Sequence, residues 1–154
     1  AKSTRQLILE ALVTRVAAID GRPPYQTEIG SLIFTHEAPE LGPDDPGAAV
    51  ALIVEPDAVG WQKQNVMVEL PVMIGALVRV HGAAWAKAFE TAEAGIADIK
   101  RAVELADRRL GIDNVDSRGI KRGATSIFER PSGSVTIGIG VAYTIPYVEG
   151  WGTP

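Results

Sequence analysis

The side chains that usually carry chemistry are few in this chain, and their spacing suits none of the common reactions. There are two histidines, His36 and His81, and no cysteine, so thiolate nucleophiles, disulfides and cysteine-bound metals are excluded. His36–Glu37 starts like a zinc-protease signature, but no second histidine follows at helical spacing. His81 falls where a strand pattern runs into a helix pattern, a common position for a polar residue. Gly138-x-Gly140 lies inside an alternating run rather than between a strand and a helix, so it lacks the geometry that cradles a phosphate. Ser132–Gly133–Ser134 reads as a turn, not as a nucleophile elbow. The acids Glu37, Glu40, Asp44 and Asp45 lack the alternating ligand spacing of a calcium loop, and the prolines among them favour a solvated loop. The expectation is a protein without catalytic, metal or cofactor residues, and not an enzyme.

The elements around these residues are legible from periodicity. From Ser134 to Val148 bulky and small residues alternate, with Val135, Ile137, Ile139, Val141, Tyr143, Ile145 and Tyr147 on one face. Thr136, Gly138, Gly140, Ala142 and Thr144 make the other, which predicts a β-strand. Two glycines on one face imply that another backbone approaches there, from the chain's own helix or from a neighbouring subunit. A second long strand runs through Val66, Val68, Leu70, Val72, Ile74, Ala76, Val78 and Val80, with Pro71 marking an edge or a bulge. Between the two, the period changes to that of a helix. Trp85, Phe89, Ala92, Ile96, Ile99, Val103, Ala106 and Leu110 form its apolar stripe, closed by Gly111. Lys87, Glu90, Glu93, Asp98, Lys100, Arg101, Glu104 and Arg108 make its polar side, with Lys100–Glu104 and Glu104–Arg108 pairs at helical spacing. Gly95 either divides this helix or leaves room for a strand beneath it.

Ser3 and Gln6 form a capping box that opens a short helix with its stripe at Ile8, Leu12, Val16 and Ile19, ended by Gly21 and Pro23–Pro24. Tyr25–Phe34 contains a strand, and Ala48–Val54 is a buried one. His36–Gly47, with three prolines and four acids, is an exposed loop. Glu55–Gln64 reads as an exposed hairpin loop, Ile112–Gly123 as a charged connector, and Glu149–Pro154 as a loose tail. Thr125–Arg130 pairs with the last strand across Pro131–Gly133. The fold expected over residues 1–154 is one α+β domain of two layers. A mostly antiparallel sheet of four to five strands is covered by one long helix, with a short N-terminal helix beside it.

Composition narrows the function classes. With 154 residues and 46% hydrophobic side chains, the chain can bury a core without staples. A net charge of −4 argues against general nucleic-acid binding, though a local patch such as Lys121–Arg122 stays open, and no sequence-specific nucleic-acid partner is expected. No apolar leader opens the sequence, and the missing cysteines suit a reducing compartment. The longest uncharged stretch, Pro131–Val148, has 18 residues. That nominally reaches membrane-spanning length, but its alternation, glycines and prolines read as a strand. The features that stand out are contact surfaces: Trp61 and Trp151 in exposed segments, the acidic loop, and the small-residue face at Gly138 and Gly140.

The opening helix Leu7–Val16, the segment Pro24–Glu28, the proline- and acid-rich loop, strand Ala48–Val54, the long strand, the helix Ala92–Leu110 and the terminal hairpin follow one another in an order that resembles the tail terminator proteins of long-tailed bacteriophages. The resemblance covers most of the chain and rests on element order. It implies a virion subunit, assembled in the host cytoplasm, that forms a ring, a hexamer in that family, on the head-proximal end of the tail tube. Such a ring stops tube polymerisation and offers a surface to the head-completion or neck protein, and DNA passes through its lumen. The family carries no catalytic residues, and its partners are itself, the tube protein and the neck protein. Other readings of the same pattern are another neck connector, a tube subunit, a small adaptor that binds a peptide at a sheet edge, or an enzyme with an unrecognised pocket.

Overall fold

Ser3 caps the first helix, α1 (Thr4–Ala17), by accepting a hydrogen bond from the Gln6 amide at 3.2 Å, as the capping-box spacing predicts. Ile8, Leu12, Val16 and Ile19 are fully buried, as their spacing requires. The computed structural model in which these contacts are seen describes residues 2–80, 85–104, 107–128 and 135–154. His81, Ala106, Arg130 and the turn expected at Pro131–Gly133 lie outside the described residues.

After α1 the chain passes a 3₁₀ turn, Ile29–Ser31, before entering β1 (Ile33–Thr35). The strand expected over Tyr25–Phe34 is therefore reduced to its last residues. The backbone amides of Gln26 and Thr27 do not join a ladder because they donate to the Asp98 carboxylate. Gly30 is needed in the 3₁₀ turn, since a Cβ there would collide with the carbonyl oxygen of Val16.

β1 lies parallel to β2 (Ala48–Val54). Parallel neighbours cannot be joined by a tight turn and need a crossover of about a dozen residues. The proline- and acid-rich segment 36–47 is that crossover. It carries no helix; its ends are pinned by the His36 amide donating to the Leu52 carbonyl and the Gly47 amide donating to Glu28, and its middle by the Arg79 guanidinium donating to the Gly42 carbonyl.

The sheet has six strands, completed by β3 (Ala58–Gln62), β4 (Asn65–Arg79), β5 (Lys121–Ile127) and β6 (Thr136–Gly150). Its order is β1-β2-β4-β6-β5, with β3 also on β4. Every pair but β1–β2 is antiparallel. β4 and β6 run side by side from Asn65↔Gly150 to Arg79↔Thr136 in one unshifted register. On its other side β4 is shared, with β3 against its first residues and β2 against its last. Pro71 falls at the junction. Its carbonyl accepts from the Glu55 amide at 3.0 Å, so its polar edge faces the gap between β3 and β2. In an antiparallel ladder one residue's N–H and C=O point the same way, and the missing donor is therefore not missed. Pro71 marks neither an edge strand nor a bulge.

The segment 55–64 is not a plain loop. Its middle is β3, turned back onto β4 through the two residues Lys63 and Gln64. The connector 112–123 also contains more structure than expected, with Val115 bridged to Tyr147 and β5 already begun at Lys121. β5 is irregular between Arg122 and Thr125.

α2 (Trp85–Glu104) crosses the sheet face that carries Ile139 and Val78, and Gly95 sits where a Cβ would meet the Ile139 side chain. The helix is thus undivided and the glycine serves close packing. Its buried side includes Ala88, Ala92, Ile96, Ile99, Ala102 and Val103. Phe89, expected in the stripe, is 56% exposed. The helical spacing does not continue to Leu110. Residues 107–111 form turns in which the Asp107 carboxylate accepts from the Arg109 and Gly111 amides, a side-chain alternative to helical bonding. Arg15 of α1 donates to the carbonyls of Val103 and Asp107, both at 2.6 Å. That guanidinium supplies the cap and the positive charge favoured at a helix C-terminus.

Asp98 is the one charged side chain among the described residues that is completely buried. It was expected on the solvated side of α2. Instead its carboxylate accepts from the Gln26 amide, the Thr27 amide and hydroxyl, each at 2.7–3.1 Å, and from Arg101 at 3.1 Å. It fastens the segment after α1 to the middle of α2. Asp98→Ala leaves these donors without a partner and should lower unfolding free energy by about 3 kcal/mol, which urea denaturation would measure.

Candidate functional site

Residues directly opposite in a ladder share a face, so the two faces of the sheet can be assigned from the pairings. Ile137, Ile139, Val141, Tyr143 and Ile145 face the helices and are buried. Met73, Leu77, Gly138, Gly140 and Ala142 belong to the opposite face, which carries no helix among the described residues. The small residues there do not wait for a neighbouring backbone. Phe128, just past β5, donates its amide to the Gly138 carbonyl at 2.8 Å and lays its ring over both glycines. A Cβ on Gly138 or Gly140 would stand 3.3 or 3.4 Å from that ring. The exposed apolar side chain on this face is therefore Phe128 itself, 50% exposed, with the exposed Ile53 on the same face.

Trp61 and Trp151, far apart in sequence, are brought together. Their ring centroids lie 5.1 Å apart with the planes inclined at 43°. Trp61 is 64% and Trp151 75% exposed, so neither folds over the sheet as core. The pair lies at the Asn65↔Gly150 end of the long ladder, over an open cavity of about 560 Å³ that Gln64 and Gly150 also line. The C-terminal segment that presents Trp151 is not loose. The Trp151 amide donates to the Gln64 carbonyl, and the Thr4 amide donates to the Pro154 carbonyl at 3.0 Å.

Glu37, Glu40, Asp44 and Asp45 lie exposed on the crossover; its residues 40–45 reach the opposite, Arg79↔Thr136 end, whereas Glu37 follows β1 at mid-ladder, next to His36, whose amide bonds Leu52. They do not converge. Asp45 is used locally, accepting from the Gly42 amide. His36 is exposed, and among the described residues no cluster of histidine and acid could hold a metal.

Two further cavities contain titratable side chains. One of about 440 Å³ between α2 and β2 is lined by Thr27, Glu28, Arg79, Lys87, Glu90 and Thr91. Glu28 is engaged with the Gly47 amide there, and no two buried carboxylates meet among the described residues. The other, of about 370 Å³, holds Glu104, Arg108, Arg122 and Tyr143. Tyr143 donates to Glu104 at 2.8 Å, and Arg122 approaches the same carboxylate at 3.6 Å. Glu104 thus pairs across to the sheet rather than along α2 with Lys100 or Arg108. Burial, then the Glu104 carboxylate, pushes the Tyr143 phenol well above the ordinary tyrosine range. Such a phenol donates a hydrogen bond but is no base near neutral pH.

No protein-family model matches the chain, and no curated protein is significantly similar to it. Among the described residues no helix is long and apolar enough to cross a membrane.

The glycine face and the tyrosine each give an expected outcome. Gly140→Val must displace both the Phe128 ring and the Met73 sulfur and should destabilise the monomer by about 1–3 kcal/mol, read by thermal or urea unfolding. Stability unchanged by that substitution would show that Phe128 is not held over the glycines. Because the folded pKa of Tyr143 is raised, its stabilisation is complete below the unfolded tyrosine pKa of about 10 and declines as pH rises beyond it. Tyr143→Phe should flatten the alkaline limb of the stability profile.

Proposed function

We propose that this chain is a ring-forming structural subunit of a phage virion, a tail terminator that caps the tail tube, stops its growth and meets the neck protein above it. What carries the reading is the separation of two unlike contact surfaces by one rigid ribbon. The tryptophan pair stands at one end of the β4–β6 ladder and the acidic crossover at the other. A ladder of this length spans about 45 Å. Unlike surfaces at opposite ends favour heterologous, head-to-tail contacts, which close into a ring when the rotation per subunit allows. The two-layer α+β architecture with a long covering helix is the one that the resemblance to tail terminators implies. A six-fold ring and passage of DNA through its lumen belong to the same proposal.

The test is negative-stain electron microscopy of the protein alone and mixed with polymerising tail tube subunits. Six-fold rings seated at one end of tubes of limited length are expected. Tubes that grow unchanged and carry no cap would overturn the terminator reading in favour of a neck connector.

A further inference from the structure

We infer that the Trp61–Trp151 pair of one copy receives the Pro43–Asp44 turn of the next, as the contact that joins successive subunits. The inference deepens the ring reading above and rests on it for the purpose of the contact.

The receiving side is the open hollow beside the packed pair. With centroids 5.1 Å apart the two indoles touch each other, so the cleft they offer is bounded by their outer surfaces together with Gln64 and Gly150, the last contributing backbone but no side chain to its wall. Val59, also exposed, precedes Trp61 by two residues and shares its face of β3. Exposed tryptophans concentrated in this way are what interface hot spots are made of, and clefts lined by aromatic rings take proline-containing segments. Lys63 stands at the tip of the β3–β4 turn, next to this cleft in sequence, and pairs with no carboxylate among the described residues.

The entering side is the apex of the crossover. The Asp45 amide donates to the Gly42 carbonyl at 3.2 Å, closing a four-residue turn with Pro43 and Asp44 at its crest. Proline suits the first central position of such a turn. The Asp45 carboxylate on the Gly42 amide and the Arg79 guanidinium on the Gly42 carbonyl hold it from below. A segment already fixed in this way loses little entropy on docking. Pro43 and Asp44 are exposed, and Glu37, Glu40 and Asp44 form no ion pair among the described residues. The segment 36–47 contains no lysine or arginine. The occupant is thus argued from both chemistries: a proline ring for the indoles and, beside it, the Asp44 carboxylate for Lys63. Because cleft and turn sit at opposite ends of the ladder, a chain cannot satisfy its own cleft, and each bound copy presents a free one.

Sedimentation velocity over a concentration series, up to the solubility limit, reads this contact directly. The wild type should associate beyond the dimer. Trp61→Ala with Trp151→Ala, and separately Pro43→Gly with Asp44→Lys, should each weaken association at least about thirtyfold, the effect of losing a hot spot. All four residues are exposed, so thermal unfolding should show both variants folded. An equimolar mixture of the two variants should form a heterodimer and stop there, since only one intact cleft meets one intact turn. A wild type that stays monomeric, variants that associate as the wild type does, or a mixture that stays monomeric would each overturn the contact. Tube-length limitation, measured in parallel, reports the capping reading separately. Its loss with self-association intact removes that reading and leaves the contact standing.

Discussion

The β4–β6 ladder is the constraint on which everything else hangs, and it survives two prolines because of where they point. Pro71 and Pro146 each carry a carbonyl bonded on the outer side of the pair, to the amides of Glu55 and Asp116. Their absent N–H groups therefore face the same outward gaps, and no rung between β4 and β6 is lost. On the β4 side the gap lets β3 end and β2 take over. On the β6 side it lies beyond the start of β5, where residues 114–116 run along the strand instead. Two long strands kept in one register make a stiff ribbon, and that stiffness holds the tryptophan pair and the acidic turn apart.

The helical layer is fixed to this ribbon by a few polar contacts as well as by burial. Asp98 and Arg15 act from opposite helices. The carboxylate of α2 gathers the segment that follows α1, and the guanidinium of α1 gathers the carbonyls at the end of α2. Both replace backbone partners that irregular segments would otherwise lack. They orient the Gln26–Thr27 segment and thereby the entry into β1. The parallel β1–β2 pair in turn requires the crossover, so the loop that carries the acids exists for a topological reason before it has any role in binding.

The titratable groups inside the molecule are largely engaged with one another or with backbone. Tyr143, Glu104 and Arg122 satisfy one another, Asp98 is spent on structure, and the acids of the crossover diverge. Among the described residues the exposed large apolar side chains include Trp61, Trp151, Phe128 and Ile53, with Val59, Phe89 and Ile127 besides. Such side chains gain free energy when another surface covers them.

The sequence by itself determined the regular elements whose one face is buried. The Ile8–Ile19 stripe, Ala48–Val54, the two long strands and most of α2 are legible because burial on one side imposes a period on the residues. The class of fold follows from their order. What lacked a buried face was not legible. β3 is exposed along its length, so Ala58–Gln62 shows no alternation and reads as loop. Asp98 carries no signal beyond an acid set between Ile96 and Ile99, because its partners lie some seventy residues away. Phe128 over the two glycines, and Trp61 against Trp151, are likewise pairings between distant segments. Periodicity reports only on neighbours along one element, whereas these contacts exist only after the sheet has closed, and that the tertiary structure alone decides.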